Sequence, residues 1–261
     1  IFTGLFRMST QDFEWLLNSI GPEISKQNTN YREAIPVKER LAVTLRFLAT
    51  GDSYTSLAYL FKISKQTMSS IVPEVCEAIT KALKNYIQVN VALPYRQMEM
   101  PFVLVADDAF PMQNHIMKPY SGHQESRSVK RLSNYRLSRA RRVVENAFGI
   151  LSSVFRVLRK PMLLEPERAT TVIMTCVYLH NFLRKTKLSR CIYTPRGTFD
   201  HDDRGTVTLG SWRRINEEDP LASYFPLLNV PRRSACTEQI RSEFAEYFST
   251  VGQVPWQNSY A

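Results

Sequence analysis

One short apolar run limits the possible folds of this chain more than any other feature. Residues 102–106 (FVLVA) form the one segment that predicts a buried β-strand, and the run ends in Asp107 and Asp108. Apolar residues elsewhere recur at intervals of three and four positions, a spacing typical of amphipathic helices. Because one strand without partners makes no stable sheet, the sequence predicts a predominantly helical chain.

The first 88 residues predict a helical domain. Ser9 and Thr10 are candidate N-caps for a first helix, which the pair Gly21 and Pro22 is expected to stop. A second helix is predicted over residues 37–50, and Gly51 is suited to end it. The irregular residues 87–101, with two prolines and no periodicity, predict a linker after this domain.

Two short helices within this domain outline a helix-turn-helix. They are predicted over residues 54–61 and 65–72, with Ser64 as the N-cap of the second and Pro73 expected to end or kink it. In such a motif the start of the second helix reads DNA. A plain helical hairpin is the alternative. The outward-facing candidates for DNA contact are Lys65, Gln66 and Ser69.

The net charge of +10 is concentrated in one part of the chain. Residues 127–160 hold ten Lys and Arg and a single acid, Glu145, whereas the remaining residues hold 24 basic and 23 acidic side chains. A concentrated basic surface indicates a polyanionic partner, with nucleic acid the first candidate and an anionic membrane the second. A solvated charged face is the alternative.

Two carboxylates on different predicted elements are candidates for a metal site. Asp107 follows the apolar run, and Glu145 lies on a long helix predicted over residues 137–158. If they converge, they offer Mg²⁺ or Mn²⁺ the oxygen ligands that hard cations prefer. Asp107 is equally suited to a turn, and Glu145 to an ion pair within the helix. The predicted inner stripe of that helix is Leu137, Ala140, Val144, Phe148, Leu151, Phe155 and Leu158.

Several functional classes find no support in the sequence. The four cysteines form no C-x-x-C pair, which favours a reducing compartment over a disulfide or zinc framework. The longest nearly uncharged stretch, residues 169–183, is shorter than a membrane span and holds polar residues, so no membrane helix is expected. His180 on that stretch is expected to be a hydrogen-bonded core histidine. The sequence begins at Ile1, which predicts a fragment or a processed product.

Taken together, the motifs resemble those of Harbinger-type DDE transposases and their domesticated nuclease relatives. VADDAFP at residues 105–111 is similar to the motif of the middle aspartate, and NYRLSRARRVVENAFGILSSVFRVL at 134–158 to the helix that bears the final glutamate. VYLHNFLR at 177–184 matches as well, and residues 6–17 and 39–72 resemble the N-terminal helical region. The resemblance covers roughly residues 1–90 and 100–185.

This resemblance implies a fold and an activity. The implied fold is α/β: a truncated RNase H-like DDE core behind an all-α helix-turn-helix region, in a chain that is predominantly helical. The implied domains are residues 1–88, a partial nuclease domain at 101–185 and a loosely organised C-terminal region at 186–261. The implied activity is divalent-metal-dependent DNA cleavage and strand transfer in the nucleus, with a Myb-like DNA-binding protein and a second copy of the chain as possible partners.

The resemblance also assigns residues. Asp107 matches the second catalytic aspartate, Glu145 matches the catalytic glutamate, and Asp108 is a spare ligand for Mg²⁺ or Mn²⁺. The basic residues expected on the DNA backbone are Arg136, Arg139, Arg141, Arg142 and Arg156.

The segment that carries the first catalytic aspartate in the family is missing at its expected place. No Asp occurs between Asp52 and Asp107, and Glu99 is the only acid between Glu77 and Asp107. Three outcomes remain open: rearrangement into a mostly helical structure, pairing with a second copy, or an incomplete gene product. Two functions remain open as well, an impaired metal-dependent nuclease and a catalytically inactive DNA-binding protein.

Overall fold

The computed structural model describes residues 7–87, 103–107, 110–204, 206–216 and 235–259. The described chain is predominantly helical, as predicted. It forms two compact units, each assembled from separated stretches of sequence. The first unit takes its residues from Ile1–Asn90, Gly149–Phe199 and Trp212–Asp219, and the second from Val91–Phe148, Asp200–Ser211 and Pro220–Ala261. The three domain ranges predicted from the sequence stay a prediction.

The first unit is built from helices. In chain order its helices are α1 (Thr10–Ile24), α2 (Val37–Thr50), α3 (Tyr54–Phe61), α4 (Lys65–Ala82), the last six residues of α5 (Val129–Val154), α6 (Pro166–Lys185), α7 (Lys187–Tyr193) and α8 (Trp212–Asn216). Short 3-10 turns follow at Lys84–Tyr86 and Arg156–Arg159. Helix α4 is central, because it packs against α1, α2 and α6.

Side chains and glycine define the helix ends of this unit much as the sequence predicts. The Ser9 hydroxyl accepts from the backbone N–H of Asp12 at the start of α1, and the Ser64 hydroxyl caps α4 in the same way. Gly51 ends α2 in the left-handed conformation, with φ of 62°. That close turn also needs glycine for space, since a Cβ there would lie 3.0 Å from Cα of Val157.

Two prolines lie inside helices. The predicted stop at Gly21 and Pro22 is wrong, and Pro73 does not end its helix. Helix α1 runs through Pro22 to Ile24, and α4 runs through Pro73 to Ala82 as one continuous helix. A proline costs a backbone hydrogen bond, but here apolar packing on both sides of it favours continuation. In α4 the buried face extends unbroken through Met68, Ile71, Val72, Val75, Cys76, Ala78 and Ile79.

The second unit combines short strands with helices. Its elements are β1 (Leu104–Val105), β2 (Ile116–Met117), residues 129–148 of α5, β3 (His201–Asp203), β4 (Thr206–Thr208) and α9 (Ala235–Ser249), followed by a 3-10 turn at Gln257–Ser259. Strands β1 and β2 pair in parallel, in the register Leu104 with Ile116 and Val105 with Met117. Strands β3 and β4 pair antiparallel.

Strand β1 corrects the prediction of a lone buried strand. It is shorter than the apolar run, it has a partner in β2, and the side chain of Leu104 is 68% exposed. The sequence did not reveal β2 because a two-residue strand leaves almost no periodicity. The predicted linker, apart from Ile87, lies outside the described residues, as does Phe102.

The inner stripe predicted for α5 is right at its ends and wrong in its middle. Leu137, Leu151 and Phe155 are buried, but Val144 and Phe148 are 54% and 64% exposed. Ala140 is exposed too. Helical spacing identifies a face, whereas burial depends on what packs against that face. In the part of the chain that the structure describes, no helix is long and apolar enough to cross a membrane.

Candidate functional site

The second unit brings the two predicted catalytic carboxylates together around one arginine. Nη2 of Arg141 lies 3.8 Å from Oδ2 of Asp107 and 3.3 Å from Oε1 of Glu145. The two carboxylate oxygens therefore lie no farther apart than the sum of those distances. The sequence left convergence open, and the structure shows it.

The elements behind these side chains explain the arrangement. Arg141 and Glu145 are four positions apart on α5, so they lie on one face of the helix. Asp107 follows β1, whose backbone is held to β2 because Leu104 N–H donates to His115 and Ala106 N–H to Met117. The side chains of Asp107 and Glu145 are 45% and 43% exposed, so solvent and a ligand can reach them.

The two carboxylates have the ligand chemistry that a hard cation takes. Two carboxylates supply the oxygens that Mg²⁺ or Mn²⁺ takes from a protein when water and phosphate complete the coordination. Arg141 already places a cation between them, and a metal ion would compete with that guanidinium. Over the described ranges no group of three or more His, Cys, Asp or Glu side chains could hold a metal ion. Asp108, the spare ligand predicted from the sequence, lies outside the described residues.

Asp202 has an ion-pairing role in this unit that the sequence did not reveal. Its Oδ2 lies 3.1 Å from Nε of Arg139 and 2.5 Å from Nη1 of Arg142, and its side chain is only 12% exposed. Two arginines three positions apart on α5 thus share one acid from strand β3. Arg142 and Asp202 are 60 residues apart in the sequence. The sequence indicated only that a basic helix face needs acidic partners, not which acid would supply them.

Arg136 is also held by the protein. Its Nη1 donates to the carbonyl of Gly252 and to Oε1 of Gln257, and its guanidinium lies 5.1 Å from the ring centre of Phe248. Burial, together with the charge of Arg139, lowers the pKa of this guanidinium. Three of the arginines predicted to bind DNA (Arg136, Arg139 and Arg142) therefore stabilise the second unit, and a guanidinium has further donors for phosphate.

The remaining predicted DNA contacts lie in the first unit. Lys65, Gln66 and Arg156 are exposed, and Ser69 is half-buried with its hydroxyl donating to the carbonyl of Gln66. Met68, Ile71 and Val72 face the core, as predicted. Helices α3 and α4 are joined by three residues, and Lys65 and Gln66 lie on the solvent side at the start of α4.

His180 is a core histidine, as expected. It is buried, and its Nδ1 lies 2.7 Å from the hydroxyl of Tyr193. Burial, with a smaller contribution from the charge of Arg184, lowers the pKa of His180 to about 4. The ring therefore stays neutral at neutral pH and belongs to the core of the first unit. The described cysteines Cys76, Cys176 and Cys191 are free thiols.

Comparison with known families gives one match, which covers the candidate site residues. Residues 56–181 match the sequence model of the DDE superfamily endonucleases. The matched stretch contains Asp107, Arg141 and Glu145. Searches of the curated proteins and of the solved structures found no significant match.

Proposed function

We propose that this chain is a Harbinger-type, transposase-derived DNA endonuclease in which DNA binding persists and metal-dependent cleavage is impaired. The observation that carries the proposal is the convergence of Asp107 and Glu145 on Arg141, within the stretch that matches the DDE superfamily endonucleases. These are the two carboxylates that the sequence resemblance assigns to the catalytic triad. The same resemblance supplies the proposed RNase H-like ancestry of the domain.

In this proposal Asp107 and Glu145 hold one Mg²⁺ or Mn²⁺. Such an ion, when bound, polarises the phosphodiester and activates the attacking water. Arg141 neutralises the carboxylate pair when no metal ion is bound and competes with the ion for the same oxygens. Cleavage is impaired because the first aspartate of the triad is missing from the sequence between Asp52 and Asp107, which leaves the two-metal arrangement one carboxylate short.

DNA binding is assigned to exposed basic groups. Lys65 and Gln66 at the start of α4 face solvent, as a recognition helix requires, and Arg156 is exposed after α5. Contacts of this kind with phosphate make affinity fall steeply with salt. A Myb-like protein partner, self-association and nuclear localisation complete the proposal, and imaging of the tagged chain together with co-purification tests them.

The experiment combines nicking with binding. Supercoiled plasmid is incubated with the chain and Mn²⁺, then Mg²⁺, while anisotropy of a labelled duplex gives DNA affinity over a salt series. Slow nicking is expected from the unaltered chain, and Asp107→Asn or Glu145→Gln should abolish it without changing DNA affinity more than about twofold. Asp203→Asn is the matched control, because Asp203 is an exposed carboxylate of the same unit.

A catalytically inactive DNA-binding protein is the second candidate. The position of Arg141 between the two carboxylates favours it, since an internal ion pair satisfies both acids without metal. DNA binding without nicking under either metal would select this candidate. Salt-independent binding, or none, would rule out both functions.

A further inference from the structure

The first unit contains a cavity that the proposed function does not use. It has a volume of about 320 Å³ and lies between the turn that follows α2, the first residues of α3 and α4, and the segment after Arg156–Arg159. Pockets for small ligands begin at about 300 Å³. Gly51 holds the turn against Val157, so the backbone itself fixes this wall of the cavity.

The cavity is apolar inside and aromatic on one side. Val157, Met162 and Leu164 contribute aliphatic lining. Phe47 and Tyr54 contribute two rings whose centres lie 5.2 Å apart. Burial raises the pKa of Tyr54 to about 12, so its phenol stays neutral. A planar, uncharged ring is the kind of group that such a lining accepts.

The rim of the cavity is basic. Lys65 and Lys160 both line it, and Nζ of Lys160 lies 3.3 Å from the carbonyl oxygen of Gly51, which holds it at the wall. Among the described residues that line the cavity, Asp52 is the one acid, and Nε of Arg46 lies 3.9 Å from its Oδ2. The rim therefore favours an anion.

We propose that this cavity, here called the α3 pocket, holds one unpaired nucleotide at the end of a bound DNA, with its base against Phe47 and Tyr54 and its phosphate at Lys65 and Lys160. This proposal rests on the proposed DNA binding. Lys65 belongs both to the pocket and to the exposed start of α4. A DNA backbone bound there passes the mouth of the pocket. Stacking on aromatic rings accepts every base, so no sequence preference is expected.

The test compares three labelled DNAs with the full chain. One is a blunt duplex, one carries a three-nucleotide overhang, and one carries the same overhang without bases. The overhang should raise affinity about tenfold over the blunt duplex, equivalent to ~1.4 kcal/mol. Removal of the bases should cancel that gain.

Two substitutions locate the effect. Thr55→Trp should block the mouth of the pocket, since Thr55 is exposed and lines it, and should abolish the overhang preference while leaving blunt-duplex affinity unchanged. Tyr54→Leu should reduce the preference and Tyr54→Phe should keep it. Thermal melting of each variant verifies that it is folded.

Each other outcome overturns the proposal in a distinguishable way. Equal affinity for all three DNAs removes the nucleotide pocket and leaves the proposed DNA binding intact. Absence of binding to any of them removes both. If the overhang preference is missing, a labelled peptide rich in Asp and Leu tests the alternative occupant. Binding of this peptide to the chain, with lower affinity in Thr55→Trp, would assign the pocket to an acidic protein partner.

Discussion

The two units of this protein are stabilised by different kinds of contact. In the first, aliphatic and aromatic side chains from α1 to α8 form one large hydrophobic cluster. In the second, arginine, asparagine and aspartate side chains make many of the tertiary contacts, and Val143, Val144 and Phe148 remain exposed. Apolar packing tolerates many partners, whereas each ionic contact needs one specific residue. Substitutions should therefore affect the two units differently.

The largest effect is expected from a cavity in the first unit. Leu48 is completely buried, so Leu48→Ala should lower the free energy of unfolding by about 3 kcal/mol, through lost transfer energy and an unfilled void. Val144→Ala in the second unit should change it by less than about 0.5 kcal/mol, because Val144 is exposed. Urea unfolding measures both. Equal losses of unfolding free energy in the two variants would contradict the expected difference between the two units.

Acid should destabilise the first unit through His180. The pKa of His180 is about 4 in the folded chain, against 6.5 for an ordinary histidine, so the unfolded chain binds the proton more readily. Stability is therefore complete above pH 6.5 and falls as the pH drops toward 4, by up to about 3 kcal/mol. Urea unfolding across this range should show a shallower pH dependence for His180→Gln. The exposed His123 provides the control variant His123→Gln, which removes an imidazole but keeps the buried one.

Asp202→Asn should loosen the second unit. The change removes the negative charge that Arg139 and Arg142 share, and because Asp202 is mostly buried we expect a loss of about 2 kcal/mol. Faster amide hydrogen exchange in residues 129–148 of α5 is the readout. Asp203→Asn changes an exposed neighbour and should have no effect. Equal hydrogen-exchange rates in Asp202→Asn and Asp203→Asn would mean that the ion pairs of Asp202 do not stabilise α5.

The smallest effect concerns the carboxylate pair. Arg141→Gln removes the cation between Asp107 and Glu145 and should raise Mn²⁺ affinity about fivefold, the size expected when a partly exposed ion pair of up to about 1 kcal/mol no longer competes. Titration of free Mn²⁺ by electron paramagnetic resonance measures it. Lys130→Gln removes a charge elsewhere on α5 and should leave Mn²⁺ affinity nearly unchanged. Unchanged Mn²⁺ affinity in Arg141→Gln would mean that Asp107 and Glu145 do not bind the metal ion.

Capping residues predicted the helix ends better than prolines did. The bounds of α2 and the caps at Ser9 and Ser64 follow from residues within one turn of chain, and the structure confirms them. The predicted end at Pro22 is wrong, and Pro73 does not end α4, because packing against neighbouring helices offsets the local cost of a proline.

Candidate residues were easier to find than their partners. Asp107 and Glu145 could be chosen from the sequence because their motifs lie in short, recognisable stretches. That Arg141 would lie between them was visible only in part, through its spacing from Glu145. The pairing of Asp202 with Arg139 and Arg142 joins a strand to a helix 60 residues away, and no local pattern encodes it.

The sequence by itself determined the helical character of the chain, the helix caps, the concentration of positive charge and the choice of Asp107 and Glu145 as candidate site residues. Each depends on residue type or on contacts within a few positions, where backbone hydrogen bonds and spacing act directly. Tertiary structure alone decided that the middle of α5 is exposed, which arginines are held by Asp202, and that a cavity lies beside Lys65. These features depend on which distant segments of the chain pack together, because a side chain becomes buried or ion-paired only through contacts with those segments.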